Sequence, residues 1–263
     1  MKAIFLAILV MASAVSAGAD LSGDVVFLGE QHDNPDHHAR QAEWVAQIAP
    51  RALVFEMLTE AQAARARSSD RSDAVKLGTV LQWEESGWPE FDWYFPIFAA
   101  APEARIYGAA VPREQARGLM DADVASVFGA DAQDFGLTLA LPPDQQDARE
   151  ALQLSAHCDA LPKEMLPVMV QIQRLRDASL ARAALAAWRE TGGPVVVITG
   201  NGHARKDWGA PAALALAAPE LTIAALGQGE DGVVPNGQFD RIAFSPAAER
   251  EDPCVAFRQQ RGN

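Results

Sequence analysis

Short unbroken apolar runs alternate along this chain with longer stretches in which apolar residues recur at helical spacing. Val25-Val26-Phe27-Leu28, Ala52-Leu53-Val54-Phe55, Arg105 to Val111, Pro194 to Thr199 and Leu221 to Leu226 form the runs, and Phe239 to Phe244 reads as a possible edge strand. A continuous apolar run bounded by turn residues is the pattern of a strand buried on both faces. Between the first two runs, Asn34-Pro35 supplies an N-cap and first-turn pair, and Ala42, Val45, Ala46 and Ala49 fall on one helical face before Pro50. Helical stretches are expected over Thr59–Ala66, Ala74–Glu85 and Pro211–Ala218, with another opening at Pro112-Arg113-Glu114. Asp121 to Pro143 is acidic and loop-like, and Asp144 to Glu190 is helical, with a long amphipathic stretch from Pro162 to Arg189. This alternation predicts an α/β fold: a mostly parallel sheet flanked by helices, with a helical insertion or cap over about 121–190 before the fourth strand.

The first residues follow another pattern. Met1-Lys2 is a short basic segment, Ala3 to Val10 is continuously apolar, and Val15-Ser16-Ala17 places small residues at a cleavage site. That is the form of a secretory signal peptide over 1–17. The alternative is a membrane anchor, for which the run is short of the roughly 20 apolar residues a span needs. No later stretch is apolar enough to span, and no lipid-acceptor Cys follows, so a periplasmic protein without a transmembrane anchor after cleavage is expected. The 263 residues are 49% apolar and carry a net charge of −13. That charge repels nucleic acid and anionic lipid surfaces, so neither is expected as a partner. Two cysteines, Cys158 and Cys254, in an exported chain read as a structural disulfide, worth up to about 4–5 kcal/mol for a loop of that size. Thiol ligation of haem or metal, or two free thiols, are the alternatives.

The candidate chemistry sits where strands end, the place where open α/β sheets bind ligands. Glu30 and His32 follow the first strand, Glu56 ends the second, and His203 follows the fourth. Two of only five histidines thus close matching Gly-x-x-His turns, at Gly29–His32 and Gly200–His203. Gly29 and Gly200 suit a sharp turn off the strand because glycine reaches φ values other residues avoid. Imidazole serves metal ligation, haem ligation or proton transfer, and the glutamates accept protons, bind a metal or orient an imidazole. Each of the four also has an ordinary reading as a capping or core-satisfying residue. His38 lies in line with Ala42 and Val45 and should face the sheet, whereas His37 shares a face with Gln41 and Trp44. The tract His32, His37, His38 could bind metal, though its spacing matches no standard zinc pattern. Trp83, Trp88, Phe91, Trp93, Tyr94, Phe95 and Phe98 form either core or a flat surface for a planar ligand. Tyr94 and Tyr107, the only tyrosines, are named because tyrosinate can hold ferric haem iron. Met165 and Met169 share a face and read as packing. Nucleophile-elbow, phosphate-loop and dinucleotide motifs are absent.

The stretches FLGEQHDNPDHHARQ, VFEM, YGAAVPRE, VVVITGNGHARKDWGAP, HCDALP and EREDPC resemble the ChaN-like haem-binding uptake proteins, within a superfamily that includes the Tiki proteases, the TraB proteins and the erythromycin esterases. The resemblance spans most of the mature chain and implies one α/β domain over 18–263. It also implies a role in haem-iron uptake, haem held between two copies of the chain, and contact with outer-membrane uptake components. By likeness to the hydrolase branches, Glu30, His32, Glu56 and His203 fall at catalytic or metal-binding positions. Three readings follow. The first is an exported haem-binding protein with Tyr94, Tyr107 or His38 as candidate haem contacts. The second is a hydrolase dependent on a divalent metal, and the third is an interaction protein whose motifs serve folding.

Overall fold

The computed structural model describes residues 21–252 and 254–255; the expected export segment lies outside the described residues. Six strands, β1 (Val25–Glu30), β2 (Ala52–Phe55), β3 (Arg105–Gly108), β4 (Val195–Gly200), β5 (Ile223–Glu230) and β6 (Arg241–Ser245), form one sheet in the order β3-β2-β4-β1-β5-β6. All five pairings are parallel. The central strands, β1, β2 and β4, are wholly buried, which is why their sequences are runs rather than alternations.

Helices cover both faces. On one lie α1 (Pro35–Ile48), α2 (Glu60–Arg67), α3 (Ala74–Leu81) and α4 (Phe91–Ala100), over a core that includes Val26, Leu28, Leu53, Phe55 and Ile198. The aromatic-rich segment belongs to this core: Trp83, Tyr94 and Phe98 are buried, and the Phe98 ring stacks on Phe55 at 4.3 Å. On the other face are α5 (Arg113–Arg117), α6 (Val124–Phe128), α7 (Pro143–Ala156), α8 (Leu166–Thr191), α9 (Asn201–Ala204) and α10 (Ala210–Ala217). Leu175, Ala178 and Ala181 of α8 and Leu214 of α10 pack there with Phe27, Val54 and Val197. Each large side chain so buried contributes about 1.5–3 kcal/mol. The helical segment before the fourth strand is thus present, and α8 runs along the sheet as its covering layer.

Several boundaries differ from the sequence expectation. The third strand stops at Gly108, where the backbone lies so close to Leu58 and Thr59 that a Cβ would meet their carbonyls at 2.3–2.5 Å. The fifth strand is shifted to Ile223–Glu230. The acidic segment after Asp121 includes α6, capped by Asp123 and holding Val124 and Phe128 in the core. Ala46 and Ala49 of the first helix are exposed, and its buried face is His37, His38, Gln41 and Val45. The disulfide is formed: Cys158 and Cys254 are joined, with Cα atoms 5.5 Å apart. No helix among the described residues is long and apolar enough to cross a membrane.

Chain direction positions the site. After β1 the chain moves toward β2 and β3; after β4 it moves toward β5 and β6. Loops diverge at the ends of these neighbouring strands, which is where a crevice opens in such sheets. The register is level there, with Gly29 opposite Thr199 and Glu30 opposite Gly200.

Candidate functional site

The two Gly-x-x-His turns meet at that crevice around Glu56. Its carboxylate follows β2, which pairs with β4, and Oε2 accepts from Thr199 Oγ1 at 2.6 Å and from the Gly200 amide at 2.8 Å. Oε1 is left facing two imidazoles, with His203 Nε2 at 3.7 Å and His32 Nε2 at 3.9 Å. Each imidazole is oriented from behind by a second carboxylate. His32 Nδ1 donates to Glu30 Oε1 at 2.6 Å, and His203 Nδ1 donates to Asp177 Oδ1 at 2.6 Å. Fixing Nδ1 as the donor aims Nε2 at Glu56 in both turns.

The glycines serve this geometry through space, not through a left-handed backbone. Gly200 has φ −63°, and Gly29 is likewise outside the positive-φ residues. A Cβ on Gly29 would meet Asn201 Oδ1 at 2.5 Å and the Leu226 carbonyl at 2.8 Å; one on Gly200 would meet His32 Nε2 at 2.9 Å. The expected reason, unusual φ, is replaced by close approach.

The first turn is further locked by its own helix. His38 Nε2 donates to the His32 carbonyl at 2.9 Å, and its Nδ1 lies 3.2 Å from Glu30 Oε2, an ionic contact outside hydrogen-bond alignment. His37 Nδ1 accepts from the Gln31 amide at 2.8 Å. His38 is buried, with its ring 4.2 Å from that of Tyr94, and His37, expected on another face, is equally buried, with Nε2 3.4 Å from the Gly229 carbonyl of β5. Tyr94 is fully buried and donates to Glu30 Oε1 at 2.9 Å, so its oxygen points inward. Tyr107 is not brought to the cluster; it lies on β3 and donates to Glu190 at 2.9 Å.

Protonation follows from these contacts. Burial pushes Glu30 up, but the hydrogen bond from His32 and the close His38 imidazole outweigh it and hold the carboxyl far below the usual range. Burial likewise opposes ionisation of Glu56, yet the charges of His203 and His32 hold it low. Burial pulls His32 down, and Glu56 and Glu30 more than offset this, raising it to about 9. His203 is raised the same way by Glu56 and Asp177. Burial, then the Glu30 charge, pushes the Tyr94 phenol far up. Burial and Glu190 push Tyr107 to about 12. The centre is thus a carboxylate held low between two imidazoles whose protonated forms it favours, an arrangement suited to moving protons. Among the described residues, no group of three or more His, Cys, Asp or Glu is arranged to hold a metal ion.

Glu30, His32, Glu56 and His203 line a cavity of about 460 Å³, walled by Trp88 and Arg176. Gln31, Gln173, Arg176, Asn201 and Gly202 are shared with an outer groove of about 920 Å³. Leu152, Met169, Val233 and Val234 give this groove apolar walls, and His157 stands at its side. Asp177 and Arg176 were missed by the sequence reading. Asp177 could have been flagged as a buried acid among Leu175, Ala178 and Ala181; nothing in the pattern marks Arg176.

A family profile described as "Haem-binding uptake, Tiki superfamily, ChaN" matches residues 20–214. The crevice and its paired turns therefore belong to a haem-binding uptake fold of the Tiki superfamily. Within that superfamily, the chain is a member of the ChaN family. Among solved structures, it resembles "Cofacial heme binding to ChaN of Campylobacter jejuni", with TM-score 0.65, 18% identity, and 81% of this chain and 84% of that chain covered. The type III effector HopBA1 matches at TM-score 0.45 and 14% identity, covering 85% and 88%. No curated protein matches the sequence.

Proposed function

We propose that this protein is an exported, periplasmic haem-binding protein of haem-iron uptake, and that haem is received in the crevice at the strand ends. The carrying observation is the outer groove. Its volume of about 920 Å³ lies within the range of small-molecule sites, roughly 300–1,000 Å³. It joins apolar walls to an exposed guanidinium, Arg176, and an imidazole, His157. That donor set fits a flat apolar macrocycle bearing acidic side chains and an iron. Bound haem would supply iron as the cargo; the chain's residues hold the ring and exclude water from one side. Family membership supports this reading, as does the cofacial haem of the Campylobacter jejuni relative, which suggests that two copies of this chain share haem. Outer-membrane uptake components are the expected exchange partners. Titrating hemin into the mature, metal-free protein should give a saturable Soret shift. No shift contradicts the proposal.

A second reading rests on Glu56 Oε1 facing two imidazole Nε2 atoms. A water between them could lose a proton to Glu56 while its oxygen attacks an ester or amide carbonyl, and His203 Nε2–H would protonate the leaving group. Hydrolysis abolished in both Glu56→Gln and His203→Ala supports this reading; full activity in both removes it. If a divalent metal copurifies and is lost in His32→Ala, the metal-dependent form expected from Glu30, His32, Glu56 and His203 takes its place.

A further inference from the structure

A separate cavity of about 240 Å³ opens between α10, the segment 135–141 and the start of α7 where it meets α8. It shares no lining residue with the strand-end cavity or with the outer groove. Two arginines line it, and both are buried, where arginine is ordinarily exposed unless paired. Arg149 of α7 and Arg174 of α8 are each only 8% exposed. Neutral acceptors hold both in place. Arg149 Nη2 donates to Gln145 Oε1 at 3.0 Å and to the Trp208 carbonyl at 3.4 Å, and its guanidinium lies 5.1 Å from the Trp208 ring centre. Arg174 Nη2 donates to the carbonyls of Gly136 and Leu139, both at 2.9 Å, and Nη1 donates to Gln171 Oε1 at 3.2 Å.

These contacts orient the two guanidiniums and leave their charge unanswered. Two acids also line the cavity, and each is engaged by another cation: Asp177 accepts from His203, and Asp207 is paired with Arg205. Among the described residues neither Arg149 nor Arg174 makes an ion pair, and Arg149 Nε is buried without a partner. A buried charge is costly until an opposite charge meets it. Burial pushes both guanidiniums down, Arg149 to about 10, and both remain protonated at neutral pH. The rest of the wall is largely apolar. Leu137 and Trp208 line it, as do Leu139 and Leu216, which are left 66% and 62% exposed. The volume falls below the roughly 300–1,000 Å³ of most ligand pockets, so the occupant is small. Two fixed guanidiniums beside an apolar rim suit a small amphiphilic anion, and a carboxylate matches the planar fork of arginine.

We infer that this cavity binds an aliphatic carboxylate, its head group between Arg149 and Arg174 and its chain along Leu139 and Leu216. The site stands independently of the haem reading. Octanoate titrated into the purified protein tests it by calorimetry, with the Trp208 indole amide signal as a local reporter. Octanoate should bind saturably and shift that signal. Octanol keeps the chain without the charge, and acetate keeps the charge without the chain; each should bind at least about tenfold more weakly. Arg149→Gln should weaken octanoate by about tenfold, and Arg149→Lys, which retains the charge, by less. Leu216→Asn alters only an exposed side chain, so it keeps the test sound if an arginine variant fails to fold. It should weaken octanoate by about threefold and leave acetate unchanged. Octanol binding as tightly as octanoate, or octanoate affinity unchanged in a folded Arg149→Gln, overturns the role of the arginines. Acetate or inorganic phosphate binding as tightly as octanoate overturns the apolar half of the assignment. The absence of saturable octanoate binding to the wild type overturns the site itself, and displacement of octanoate by hemin overturns its separation from the crevice.

Discussion

The turns Gly29–His32 and Gly200–His203 carry the same signature, yet they are built differently. In the first, the orienting carboxylate is Glu30, within the turn itself, and it also receives Tyr94 and faces His38. In the second, it is Asp177, reached from α8 twenty-six residues earlier. The first histidine is a third exposed at the cavity mouth, and the second is nearly buried. The shared motif therefore specifies where Nε2 points, and the surroundings decide how firmly it is held. Glu30 anchors a local network, and Asp177 ties the sheet edge to the covering helix.

The most severe test of this difference is Glu30→Ala. It leaves His32 and Tyr94 without their acceptor and His38 without its ionic partner in a buried site, and should lower unfolding stability by about 3–5 kcal/mol in chemical denaturation. Asp177→Ala removes one partner from one imidazole, and His203 retains Glu56 nearby, so a smaller loss of about 1.5–3 kcal/mol is expected. Equal losses would mean that the two anchors are equivalent. Glycine substitutions sharpen the point. Gly29→Ala drives a Cβ against the Leu226 carbonyl and should cost about 1–3 kcal/mol. Gly202→Ala meets nothing within 4 Å and should stay within about 0.5 kcal/mol of wild type.

The smallest effect is in pH. His32 is raised from 6.5 to about 9, so its contribution to stability is complete below about pH 6.5 and is lost as pH climbs through about 9. Thermal denaturation across that window should decline less steeply in His32→Gln than in wild type. Parallel curves would show that His32 does not gain its proton from the fold.

Much of this architecture was legible in the chain. The runs at Val25, Ala52 and Val195 become central strands because burial on both faces demands uninterrupted apolar sequence. Strand ends then brought Glu30, His32, Glu56 and His203 to one place. Less visible was what depends on contacts distant in sequence. Asp177 reads as one polar residue in an amphipathic helix until α8 is laid on the sheet. The glycines signalled a tight turn, but only the neighbouring strand reveals that they are needed for close approach. Tyr94 looked like an iron ligand by residue type, and the fold gives its hydroxyl to Glu30. His157 was legible only as part of the HCDALP stretch; its place in the groove wall required the packing of α7 against α8.

The central claim is that haem occupies the crevice between the two turns and its outer groove. Its most direct test is paramagnetic broadening of backbone amide signals by hemin, with gallium protoporphyrin IX as the diamagnetic control. Broadening should concentrate at Arg176, Gly202 and Val233 and spare Tyr107 and its neighbours on β3. Strong broadening around β3 with a silent groove would contradict the claim.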